Sequence, residues 1–203
     1  MPPRKTEPRK RPQQARSRVL YDALVEATQR LLAAEGVDAV TTARVAELAG
    51  VSIGSLYQYF PSREALIAAV IDRKLEADLV ELAPLAVALL SVDLDQAIAG
   101  IVEITIRYYR DETPLYRAMV AAMPDVDRVA HVRRALAGFD QATVAILRPH
   151  AARLVPDFEA RAWVLREALI ACVRAAATDH PETLADGSLA RSLEAICRGL
   201  LVQ

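Results

Sequence analysis

The segment Gly50-Val-Ser-Ile-Gly54 spells G-x-S-x-G, the spacing that lifts a serine hydroxyl toward substrate in a nucleophile elbow. Such chemistry needs a buried strand, a strained turn and a helix, with a histidine near enough to take the serine proton. Other reactive groups are sparse. His131, His150 and His180 are scattered without metal-ligand spacing, and Cys172 and Cys197 form no C-x-x-C pair. Buried thiols and isolated histidines are the plainer reading, so no metal site and no cofactor are expected.

The residues flanking Ser52 decide between an elbow and something else. Upstream, Val45, Leu48 and Ala49 recur at three- and four-residue spacing with Arg44 and Glu47 between them, which predicts a short helix rather than a strand. Thr42 is expected as its N-cap and Gly50 as its stop. Downstream, Leu56 and Phe60 fall on one face of a second short helix from Ile53 to Tyr59, and Ser52 is placed to cap it. The pattern is helix, glycine turn, helix. In that motif the first helix crosses behind the second, and the second is offered to the DNA major groove.

The run Gly50-Val-Ser-Ile-Gly-Ser-Leu-Tyr-Gln-Tyr-Phe-Pro-Ser-Arg-Glu-Ala-Leu66 closely resembles the recognition-helix signature of TetR-type transcriptional regulators, and the likeness extends over about residues 15 to 70. Where many members have lysine after the turn serine, this chain has Ile53. The resemblance implies that Thr42, Ser55, Tyr57, Tyr59 and Arg63 meet the DNA backbone while Ile53 and Gly54 approach base edges. Gln58 adds a base contact if it points outward.

Charge supports a polyanionic partner. The net charge is −1, yet residues 1 to 20 hold seven basic residues against Glu7 alone, a local +6. Prolines 2, 3, 8 and 12 interrupt helix in this arm. It reads either as a phosphate-seeking arm or as a solvated tail, with Arg16 and Arg18, beside the first helix, favoured for DNA.

The whole chain, 53% hydrophobic and 5% aromatic in 203 residues, reads as all-α. Expected are a basic arm over 1–14, a helix-turn-helix domain over 15–62, and a linking helix plus ligand-binding and dimerisation bundle over 63–203. The first helix covers Ala15 to Glu35. The linking helix is capped by Ser62 and ends near Leu82, before Pro84. Later helices are expected over about 93–111, 113–123, 126–154 with a break at Pro149, 157–178 and 188–201. No apolar run has the length of a membrane span and no signal-peptide pattern precedes the arm, which points to a cytoplasmic protein without membrane contact.

In the last two helices the apolar residues outnumber one packing face. The resemblance implies a homodimer through them, with Trp163, Ile170, Leu189, Leu193, Ile196 and Leu200 at the interface; burial inside one chain is the alternative. It also implies an effector cavity for an unknown small molecule, for which Arg107, Tyr108, Tyr109, Tyr116, His131, Arg134, Phe139, Trp163 and Glu167 are candidates, although Tyr and Trp serve equally as core residues with satisfied polar tips. The expected function is a ligand-responsive repressor of a pseudo-palindromic double-stranded operator. The alternatives are an architectural DNA-binding or interaction protein without effector, and a serine hydrolase at Ser52.

Overall fold

A computed structural model describes residues 7–8, 15–110, 113–126 and 129–203, with the side chains of residues 16, 108–110, 113, 124–125 and 129–136 left undescribed. The order of helices is α1 (Ala15–Glu35), α2 (Thr42–Leu48), α3 (Ile53–Tyr59), α4 (Arg63–Ala88), α5 (Leu94–Arg110), α6 (Thr113–Val126), α7 (Val129–Leu147), α8 (Phe158–Asp179), α9 (Glu182–Ala185) and α10 (Ser188–Leu201). Three short 3-10 segments intervene at Val37–Ala39, Leu89–Ser91 and Arg148–Arg153. Among the described residues the only β pairing outside helices is an isolated bridge between Leu154 and Val202. The all-α reading holds.

Two compact units form. The first holds the described residues up to Glu76 together with Pro114–Val132, so its packing takes in more than the segment 15–62. Its core joins Leu24 and Leu32 of α1, Val45 of α2, Leu56 of α3, Leu66 and Ile67 of α4 and Met119 of α6. Each contributes its inward stripe at helical spacing, and burying those stripes together is what makes seven-residue helices such as α2 and α3 stable, since alone they are far too short.

The second unit spans Ala77–Thr113 and Arg133–Gln203. In it α5, α8 and α10 pack on one another, with α9 against α8 and α10. Ile98 and Ile101 of α5 are buried with Leu165, Leu169 and Val173 of α8 and Leu193, Cys197 and Leu201 of α10. Polar bonds fasten the C-terminus: Val155 N donates to the Leu201 carbonyl at 2.8 Å, and Arg161 Nη1 to that of Leu200 at 2.9 Å.

Several boundaries differ from expectation. α4 does not stop before Pro84 but runs through it to Ala88. The proline removes one helical donor, leaving the carbonyl of Val80 without its bond. Val80 is 77% exposed, so water can serve that carbonyl. The helix expected over 126–154 with a break at Pro149 runs from Val129 to Leu147, and the 3-10 segment that carries Pro149 follows. The connection before α10 contains the extra turn α9, which buries Leu184.

Candidate nucleic-acid interface

The N-cap of α2 is Thr41, not Thr42: its Oγ1 accepts from the Arg44 amide at 3.2 Å. That leaves the Thr42 hydroxyl for another partner, and it lies 3.2 Å from the Tyr57 hydroxyl of α3 in a shared hydrogen bond. α2 ends in a Schellman motif. Gly50 N donates to Glu47 O at 3.1 Å and Val51 N to Ala46 O at 2.9 Å, with Gly50 at φ 68°, a conformation that favours glycine.

Ser52 caps α3. Its Oγ accepts from the Ser55 amide at 3.1 Å and lies 2.8 Å from the Ser55 hydroxyl. The element before it is a helix, so the strand of a nucleophile elbow is absent and the hydrolase reading falls.

α3 has two unlike faces. Leu56 is fully buried, and Phe60, just past the helix, is as well. Ile53, Gly54, Tyr57 and Gln58 are exposed, with Ile53 at 44% and Tyr57 at 41%. A Cβ on Gly54 would find nothing nearer than Ser52 Oγ at 3.9 Å, so an outside surface can approach that backbone closely.

Tyr59 is half-buried, its ring edge-on to Tyr21 at 6.4 Å, and Ser55 is half-buried beside it. Arg63 opens α4, with Nε 3.5 Å from Glu64. Ser62 caps that helix through the Ala65 amide, as expected. Arg18 is exposed on α1. The Arg16 side chain, and the arm apart from Glu7 and Pro8, lie outside the described residues.

Comparison with known proteins agrees with this geometry. Residues 24–70 match the family described as bacterial regulatory proteins, tetR family, and residues 93–201 match the tetracyclin repressor-like C-terminal domain. The chain belongs to the TetR family. It is a DNA-binding transcriptional regulator.

Solved structures share the fold. A putative TetR-family regulator from Mesorhizobium loti is 16% identical, with a TM-score of 0.68 over 94% of this chain and 100% of its own. A TetR-like regulator from Rhodococcus sp. RHA1 is 22% identical, with a TM-score of 0.65 over 94% and 98%. One from Shewanella sp. PV-4, also 22% identical, gives 0.59 over 91% and 99%. No curated protein shows significant similarity. Among the described residues no helix of this TetR-family chain is long and apolar enough to cross a membrane.

The expected effector residues with described side chains are divided between the two compact units. Tyr116 lies in the first compact unit, while Arg107, Phe139, Trp163 and Glu167 lie in the second. Arg107 donates to Glu81 at 2.7 Å, and Glu167 is exposed, accepting from Arg166 at 2.7 Å. Phe139 is half-buried. Trp163 is 57% exposed and borders an open groove of ≈ 550 Å³ with Asp140, Arg148 and Glu159. The side chains of Tyr108, Tyr109, His131 and Arg134 lie outside the described residues.

The expected interface residues divide. Trp163 and, at 43%, Ile196 are exposed, while Ile170, Leu189 and Leu200 are half-buried. Leu193 departs from expectation: at 1% exposure it faces inward and packs inside its own chain. Sequence reasoning missed the Thr41 cap and a pairing of Arg44 with Glu35. Opposite charges on either side of the Gly36 turn were the available signal for the second.

Proposed function

We propose that this regulator is a homodimeric, ligand-responsive repressor that leaves a pseudo-palindromic operator when a small effector binds. The observation that carries the DNA side is α3, which holds Leu56 in the core and offers Ile53, Gly54 and Tyr57 to solvent. Ile53 suits a thymine methyl, Gly54 permits close approach, and the hydroxyls of Thr42, Ser55, Tyr57 and Tyr59 suit phosphate oxygens, with Arg63, Arg18 and Arg16 adding charge.

Dimerisation is supported by the outer faces of α8 and α10, where Trp163 and Val164 stand exposed on one helix and Ile196 on the other. The effector response rests on α4. Its first residues belong to the first compact unit and its residues from Ala77 to the second, so a ligand that shifts this helix shifts the recognition surface. A ligand acts this way only through unequal affinity for the DNA-competent and released states.

The test is reciprocity. Aromatic and apolar metabolites that raise the melting temperature are titrated with and without operator. A hundredfold weakening of DNA binding corresponds to about 2.7 kcal/mol of coupling, and operator must weaken the ligand by the same factor. Stabilising ligands that bind equally well in both conditions would contradict the switch.

A further inference from the structure

From Thr41 to Phe60 the helix-turn-helix carries two charged residues, Arg44 and Glu47. Arg44 is the one cation there, and a basic residue beside a DNA-facing helix is ordinarily read as a phosphate contact. Its guanidinium is already engaged. Nη2 donates to Glu35 Oε1 at 2.7 Å, Nη1 to Glu35 Oε2 at 3.0 Å, and Nη1 also to the Ala39 carbonyl at 3.3 Å. This two-pronged fit to the carboxylate is the strongest pairing geometry open to arginine.

The three partners are the end of α1, the end of the 3-10 turn and the first turn of α2. Between them the chain reverses at Gly36, φ 82°, and Val40 is the one buried residue from Gly36 to Thr41. Val40, with Val37 partly buried against the core, anchors this corner from inside, and the Arg44 clamp spans it from outside. Thr42, two residues before Arg44, shares its hydroxyl with Tyr57 of α3, so the setting of the first turn of α2 passes directly to the exposed face.

We infer that Arg44 is a positioning residue: its clamp on Glu35 and the Ala39 carbonyl fixes the start of α2 and, through Thr42 and Tyr57, the DNA-facing surface, instead of giving its charge to phosphate. This rests on the reading of α3 as the surface that meets DNA. The hydrogen bond to Arg44 holds the Glu35 carboxyl below its ordinary range, and the same bond raises the Arg44 guanidinium. The clamp is intact at neutral pH. A corollary is that the segment Thr41 to Phe60 adds no free positive charge, leaving the salt dependence of binding to Arg63, Arg18, Arg16 and the arm.

The experiment measures affinity of the full chain, by fluorescence anisotropy over a salt series, for a duplex recovered by selection from random DNA and for a scrambled duplex. The variants are Glu35→Gln, Arg44→Gln, the reversed pair Glu35→Arg with Arg44→Glu, and Tyr57→Ala; circular dichroism checks that each is folded. Glu35→Gln and Arg44→Gln should each raise Kd for the selected duplex by up to about fivefold, the upper end of what an exposed ion pair contributes. The log-log salt slope should stay unchanged, and the reversed pair, which restores the ion pair but not the bond to the Ala39 carbonyl, should recover part of the loss.

An Arg44 that contacts phosphate gives another pattern. Glu35→Gln would then bind as well or better, while Arg44→Gln would lower the slope by about 0.9. That result overturns the clamp, as does unchanged affinity in both glutamine variants while Tyr57→Ala weakens binding. A Tyr57→Ala variant that binds normally overturns the underlying reading of the surface itself.

Discussion

The Ser52 hydroxyl sits 3.1 Å from the Ser55 amide, and this bond accounts for a serine between two glycines: Gly50 closes one helix and the serine opens the next. The neighbouring threonines show where single-residue reading stops. Thr41 and Thr42 are both competent caps by type, and the difference between capping α2 and meeting Tyr57 is one position of helical phase, finer than a sequence pattern resolves. Cys197 was legible as a buried thiol on α10. At 1% exposure its thiol is pushed up to about 12, chiefly by burial. Iodoacetamide near pH 8 should therefore leave Cys197 unmodified until denaturant is added, because only the thiolate attacks; mass spectrometry of native and unfolded samples reads this. The unfolded thiol ionises first, near its ordinary 9.0, so the stability that this protonated group confers is complete below that pH. It is lost as pH rises toward about 12.

At the scale of elements, α1, α2, α3 and the caps at Ser52 and Ser62 were readable because apolar spacing, glycine stops and hydroxyl caps agreed with one another. The course of α4 through Pro84 was not, since the outcome depends on whether the orphaned carbonyl finds water, which is a fact of exposure. Phase also separates Leu193 from Ile196 on α10. Both are apolar and three residues apart, yet one is 1% and the other 43% exposed. Ile196→Glu should leave a folded chain and yield monomers in sedimentation. Leu193→Glu buries a charge inside the second unit and should cost more than about 3 kcal/mol in denaturation, whatever the state of assembly. An Ile196→Glu variant that remains dimeric would place the interface elsewhere.

For the molecule as a whole, the family and its DNA-binding role were legible from a single run, Gly50 to Leu66, because that run must satisfy a turn, two caps, a core and an outer face at once. No run of comparable specificity marks the expected effector residues, because they are common core residue types spread over several helices and only three-dimensional packing can bring such groups together. Net charge was also a poor guide at this scale: the total of −1 conceals a local +6 in residues 1 to 20, and attraction to DNA follows the local value. The central claim is that two copies of α3 read DNA together. Selection of duplexes from a random pool by the full-length protein tests it most directly. The enriched sequence should be an inverted repeat whose half-sites lie about 34 to 36 Å apart, or a related multiple, so that both recognition helices meet successive major-groove faces. A pool without enrichment, or one converging on a single unrepeated half-site, would contradict it.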